Sequence, residues 1–143
     1  MKRILLSIVL LCFVSLSHAA LNPAEKRLVA MLESGDLSQL KSAAKQIEGR
    51  GGYDQQVLDV AAEVLLQVYP DAWDGQIDTL SWLARALGSS HNGRYYDALQ
   101  EVRVGAPHKK LTKHAKKALK ELGPAQGEQY RRGMVKIPTN DYQ

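Results

Sequence analysis

Residues 54–69 read DQQVLDVAAEVLLQVY, and this stretch determines the fold class more than any other. Its apolar side chains recur at helical spacing and cover an unusually wide face. They are Val57, Leu58, Ala61, Ala62, Val64, Leu65 and Val68. A helix with so wide an apolar face lies in the middle of a domain, because neighbours must cover it on several sides. We therefore predict a central helix from about Asp54 to Tyr69.

Two helices are predicted before the central one. Residues 22–25, Asn-Pro-Ala-Glu, are typical of a helix start, because asparagine caps free amides, proline suits the first position and glutamate completes a capping box. Gly35 is expected to end this helix, since glycine accepts the left-handed conformation. Asp36 then caps a second helix, which the glycine-rich residues 49–52 end. Their apolar stripes are Leu28, Val29, Met31 and Leu32, then Leu37, Leu40, Ala44 and Ile47.

Three more helices and a tail are predicted after the central helix. Pro70 ends the central helix, and a fourth begins near Asp71 or Asp74. A fifth runs from about residue 94 to residue 104, and Pro107 opens a sixth that stops at residues 123–124, Gly-Pro. Residues 125–143 are polar and weakly periodic, so we expect a loose, irregular C-terminal tail.

The six predicted helices form three short-looped pairs. The pairs start near residues 22, 54 and 92, and no segment alternates with the period of two that strands show. The fold class is therefore predicted to be all-α. Starts about 32 and 38 residues apart are typical of stacked helical hairpins, in which each pair buries its face against the next. We expect a short right-handed α-solenoid of about three hairpins over residues 20–124.

One segment resembles a known repeat family. Residues 93–102 read GRYYDALQEV and, after a short break, residues 110–119 read KLTKHAKKAL. Over about 30 residues this pattern is similar to a HEAT-type repeat. The resemblance implies an α-solenoid that presents protein-binding surfaces and has no catalytic activity of its own.

The N-terminus has the pattern of a secretory signal peptide. Lys2 and Arg3 precede an apolar run from residue 4 to residue 16, and small residues follow at Ser17 and Ala19. The apolar run is shorter than the roughly 20 residues that a membrane-spanning helix needs. We therefore predict that residues 1–19 are cleaved and that the protein is exported, periplasmic or secreted, with no transmembrane segment after cleavage.

The single cysteine leaves with the predicted signal peptide. Cys12 lies inside the apolar run and follows Leu11, whereas a lipid-bearing cysteine follows a small residue, so we do not expect lipidation. The mature chain then has no disulfide, and its core alone must hold it together.

Charge is unevenly distributed along the chain. The net charge is −4 over residues 20–88 and +6 over residues 89–143. The sixth predicted helix has six lysines, with no acid between Val104 and Glu121: Lys109, Lys110, Lys113, Lys116, Lys117 and Lys120. They either solvate the outer face of a terminal repeat or bind an anionic surface, such as lipid headgroups or acidic polysaccharide. No aromatic residue lies among them for bases to stack on, so nucleic acid is not expected as a partner.

Five residues are singled out as candidates for partner binding. Tyr95 and Tyr96 are adjacent and point roughly 100° apart on a helix, so both cannot be buried. Tyr95 is predicted to be the exposed one and a contact in an interface. The others are the outward lysines of the sixth helix, Lys109, Lys113, Lys116 and Lys120.

The remaining polar residues show no catalytic or metal-binding pattern. His108 and His114 are six residues apart, whereas zinc ligands on one helix are three or four apart. The acids between residues 71 and 78 do not alternate as a calcium loop requires, and no serine lies in a nucleophile elbow. We therefore expect no enzyme, cofactor or metal, and a small exported module that binds a protein. The alternative is a binder of the anionic envelope surface through the sixth helix.

Overall fold

The structure is a computed structural model that describes residues 20–143, so the predicted signal peptide lies outside the described residues. Over this range the fold is all-α, as predicted, with six α-helices and no strand. The helices are α1 Pro23–Leu32, α2 Leu37–Arg50, α3 Gln55–Val68, α4 Asp74–Ser89, α5 Tyr96–Gly105 and α6 Lys109–Leu122. None of these helices is both long enough and apolar enough to span a membrane.

The predicted caps form at the first two helices, and Asp54 caps the third. The Asn22 side chain accepts a hydrogen bond from the Glu25 amide at 2.9 Å, and the Glu25 carboxylate accepts one from the Asn22 amide at 3.2 Å. Asp36 and Asp54 cap α2 and α3 through bonds of 2.8 Å to amides two or three residues on. The second oxygen of Glu25 accepts from the Asp54 amide at 3.0 Å, so this capping box also ties the start of α1 to the start of α3.

Two helix starts differ from the prediction. A 3₁₀ turn occupies Gly93–Tyr95, and α5 begins only at Tyr96. The cause is Asn92, whose side chain accepts from the Arg94 amide at 3.1 Å and closes a tight turn there. Pro107 lies outside α6, which begins at Lys109 with His108 as its N-cap.

The helices lie in two rows. α1, α3 and α5 form the odd row, in which α3 contacts both neighbours, and α2, α4 and α6 form the even row, in which α4 contacts both neighbours. Successive helices also pack as α1 with α2, α3 with α4 and α5 with α6. α3 and α4 therefore lie in the middle, and every residue of α3 from Val57 to Leu66 is buried.

A glycine lets α4 and α6 approach closely. A Cβ added at Gly88 of α4 would lie 2.7 Å from the Cα of Ala118 in α6. Atoms in a packed interior do not approach so closely, so the helices would have to move apart. The close contact fixes the spacing of the even row at its α4–α6 seam.

Alanine at Gly88 is therefore expected to lower the free energy of unfolding by about 1–3 kcal/mol, the usual cost of overpacking. The matched control is Gly49→Ala in α2, where an added Cβ meets nothing within 4 Å. This change should raise stability by roughly 0.5–1 kcal/mol, because alanine favours helix more than glycine does. Denaturant unfolding measures both, and equal stabilisation by the two substitutions would contradict the close approach.

Residues 123–143, the C-terminal strap, form no helix or strand, but the expectation of a loose tail is wrong. Tyr130 and Tyr142 are both buried in the hydrophobic core. The Tyr130 amide donates to the Arg94 carbonyl at 2.8 Å beside α5, and the Tyr142 hydroxyl donates to the Leu32 carbonyl at 2.6 Å in α1. The strap thus crosses the odd row from α5 to α1. Its two anchor tyrosines are too far apart in the sequence to produce a periodic signal.

Candidate functional site

Tyr95 is buried, so its predicted exposure is wrong. Its hydroxyl donates to the Asp59 carboxylate at 2.8 Å and lies 3.3 Å from the Gln55 carbonyl. The physical reason is the 3₁₀ turn, which directs Tyr95 towards α3, whereas Tyr96 is only partly buried. Burial, together with the negative charge of Asp59, raises the pKa of the Tyr95 hydroxyl. Tyr95 therefore belongs to the interior and is not accessible to a partner.

Asp59 and Arg94 form a largely buried ion pair beside Tyr95. The Arg94 guanidinium donates to both Asp59 oxygens, at 3.0 Å and 3.2 Å, in the two-pronged geometry that suits a carboxylate. The hydrogen bond from Arg94 to Asp59 raises the pKa of the guanidinium. The two opposite charges thereby compensate each other, and this pair joins α3 to the turn before α5.

Glu63, one helical turn further along α3, fastens the strap. Its carboxylate is fully buried and accepts from the Tyr130 hydroxyl, from the Gly133 amide at 2.9 Å and from Gln67 at 2.9 Å. Burial and the bond to Glu63 raise the pKa of the Tyr130 hydroxyl. These donors satisfy the carboxylate, as a buried charge requires. The cluster holds the strap on the odd row.

The four predicted lysines of α6 lie on one exposed side of the helix, opposite its buried stripe. We call Lys109, Lys113, Lys116 and Lys120 the lysine line. Their spacing of three or four residues makes each the neighbour of the next along the helix surface. Within residues 20–143 none of the four has an acidic group within 4 Å. Their charge is therefore available to a partner.

Ion pairs extend the basic surface from α6 across α4 to α2. The Asp78 carboxylate of α4 contacts the Lys41 ammonium of α2 at 2.6 Å and the Lys110 ammonium of α6 at 2.8 Å. These two hydrogen-bonded lysines lower the pKa of Asp78 to about 2. Asp78 is thus ionised at any ordinary pH and holds the two lysines on either side of it.

Trp82 of α4 lies among basic groups. The Arg85 guanidinium lies 4.0 Å from its ring centroid and the Lys45 ammonium 4.9 Å from it, both within the range of cation–π attraction. Arg85 also contacts the Glu48 carboxylate of α2 at 2.6 Å. We define the basic face as the lysine line together with Lys41, Lys45, Trp82, Arg85, Lys110, His114 and Lys117.

The strap leaves the basic face uncovered. Its hydrogen bonds to the helices go to the odd row, to the adjoining turns and to the first residues of α2 and α4, such as Leu37 and Gln76. None of those bonds reaches the lysine line or Trp82. One row of the protein is therefore covered by its own chain, while the other presents a basic surface.

The second tryptophan has acidic surroundings instead. Trp73 is 54 % exposed and lines a cavity of about 480 Å³ between the start of α4 and the end of the strap. Asp71 and Asp141 also line this cavity, and no basic residue does. Trp73 and Trp82 thus lie on surfaces of opposite charge.

The histidines do not come together. His91 bonds to the Glu121 carbonyl, and His108 lies 3.5 Å from Asp74. Across residues 20–143, no three His, Cys, Asp or Glu residues are placed to hold a metal ion.

Comparisons of this chain with protein-family models, with curated proteins and with solved structures found no match. Over residues 20–143 the fold and the site define an all-α protein with a basic helical face.

Proposed function

We propose that this protein is a small exported module that binds an acidic segment of a protein partner through its basic face, without catalysis of its own. Export rests on the signal-peptide pattern of residues 1–19. The lysine line carries the proposal: its charges are exposed and have no acidic neighbour in the described chain. Clustered charge of one sign attracts a partner of the opposite sign and accelerates its association.

The helix contacts support a repeat architecture for this module. Paired helices that also pack in two rows are the arrangement of stacked hairpins, so we propose a short right-handed α-solenoid of three HEAT-like pairs. In such solenoids one row of helices offers an extended binding surface. The strap reaches the even row only at the first residues of α2 and α4, so we assign the partner to the remainder of that row.

Two features favour a protein partner over the anionic envelope surface. Trp82 and Arg85 lie on the basic face, and aromatic residues and arginine are the types enriched where proteins bind one another. Asp78 and Glu48 lie among the lysines, and a flat anionic bilayer would repel them. A protein partner can place its own charges to match both signs.

Replacing the lysine line by glutamine should weaken binding of a glutamate-rich peptide by about fourfold or more. Each exposed ion pair contributes roughly 0.2–1 kcal/mol, and four are removed together. Isothermal titration at low and at moderate salt measures the loss, and binding by the unmodified protein should itself weaken as salt screens the charges over about 10 Å at 0.1 M.

The matched control removes four basic charges elsewhere, by changing Lys26, Arg27, Arg131 and Lys136 to glutamine. These exposed residues lie on α1 and the strap, so peptide binding should change less than about twofold, the effect of distant screened charges. Equal losses in both variants would show that net charge alone matters. Binding to vesicles containing anionic lipid, with none to the peptide, would establish the envelope surface instead.

A further inference from the structure

The seam between α4 and α6 gathers basic groups around one histidine. His114 of α6 has Lys110 one turn before it, Lys117 one turn after it and Lys113 beside it. Across the seam lies Arg85 of α4. Gly88 and Ala118 bring the two helices close together. The side chains that flank this seam on α4 therefore lie near those that flank it on α6.

One nitrogen of the His114 ring, Nδ1, lacks a hydrogen-bond partner. This atom is enclosed, yet it bonds to no atom of residues 20–143. Burial lowers the pKa of His114, and the charges of Arg85, Lys110, Lys117 and Lys113 lower it further. The ring is therefore neutral at neutral pH, and it lies among positive charges that disfavour its protonation.

The nearby carboxylates are already engaged. Glu48 contacts Arg85, and Asp78 is shared by Lys41 and Lys110. Lys113 and Lys117 have no acid within 4 Å in the part of the chain that the structure describes. The seam thus has more positive charge than its own acids compensate.

We infer that this seam, at His114, Arg85 and Lys117, is the subsite that receives a carboxylate of the partner's acidic segment. The inference rests on the proposed function and adds to it the place where the partner is anchored. A carboxylate there offsets the excess charge and accepts charge-assisted hydrogen bonds from lysine and arginine.

A bound carboxylate also changes the protonation of His114. A negative charge near the ring favours the imidazolium, so binding should raise the pKa of His114 towards or above its ordinary value. By linkage, the complex takes up a proton and becomes tighter as pH falls. Glutamate side chains of the partner stay largely ionised down to about pH 5.5, because their ordinary pKa is about 4.3.

The test is a titration with the same glutamate-rich peptide at about pH 5.5 and about pH 7.5, the two sides of the ordinary histidine pKa. We expect affinity to be about threefold to tenfold higher at the lower pH, and the NMR signal of the His114 ring to show a raised pKa in the complex. His114→Gln should abolish most of this pH dependence and keep the binding contributed by the lysine line. His108→Gln, the matched control at the N-cap of the same helix, should keep the pH dependence.

Each other outcome has a definite meaning. Peptide binding with an unchanged His114 signal, or an equal pH dependence in His114→Gln, overturns the inference and leaves the proposed function standing. No peptide binding by the unmodified protein overturns the proposed function and the inference together. A raised His114 pKa with anionic vesicles alone would assign the seam to lipid headgroups and overturn the inference of a protein carboxylate.

Discussion

Alanine in place of Asp59 is expected to lower the free energy of unfolding by about 3–5 kcal/mol, the usual cost of breaking a buried ion pair from one side. The substitution leaves the largely buried Arg94 guanidinium without its two-pronged partner and takes an acceptor from the Tyr95 hydroxyl. Urea unfolding followed by circular dichroism measures the loss.

The control for this prediction is Glu128→Ala, which removes the second acid near Arg94. Glu128 lies 4.0 Å from the guanidinium and its side chain is 79 % exposed, so its loss should cost less than about 0.5 kcal/mol. A small loss for Asp59→Ala, comparable to that of Glu128→Ala, would contradict this account. It would mean that the ion pair of Asp59 and Arg94 does not hold α3 to the turn before α5.

Leu65→Ala in the central helix is expected to cost about 2–5 kcal/mol, the range for emptying a leucine site in a packed core. Leu65 is fully buried in α3. Lys116→Ala, on the exposed side of α6, should cost less than about 0.5 kcal/mol, because its side chain supports no packing. Denaturant midpoints for the two variants compare them directly, and similar losses would contradict the assignment of inside and outside.

The all-α class and the six helices could be predicted because they depend on local signals. The wide apolar face of residues 57–68 marked α3 as central, and the caps at Asn22 and Asp36 marked two helix starts. Each of these signals lies within a few residues of the feature that it predicts. The outward direction of the lysine line also follows from its position relative to a single apolar stripe.

The partners of the buried acids Asp59 and Glu63, and the path of the strap, could not be predicted in the same way. Both depend on contacts between residues that are distant in the sequence. Tyr130 bonds to Glu63, and Tyr142 bonds to the backbone of Leu32, over separations of 67 and 110 residues. One signal was available: Asp59 and Glu63 are acids one turn apart in an otherwise apolar helix, and buried acids need partners. It indicates that donors must reach α3 but does not identify them.

Tyr95 shows how a turn type changes an inference about exposure. The comparison of Tyr95 with Tyr96 assumed that both lie in one α-helix. Asn92 closes a 3₁₀ turn before that helix, and the turn places Tyr95 in the core. The cap at Asn92 therefore leads to a buried Tyr95 and a partly exposed Tyr96, which is the reverse of the expectation.

The arrangement of the strap has a consequence for binding. The strap covers the odd row and leaves the basic face of the even row exposed to a partner.

The most direct test maps the amide and indole chemical shifts of the protein by NMR while a glutamate-rich peptide is added. Changes should concentrate at the Trp82 indole and at Lys113 and Lys117, with the strap and the Trp73 indole unaffected. Changes concentrated on the strap or around Trp73, or no change at any residue, would contradict the assignment of the partner to the basic face.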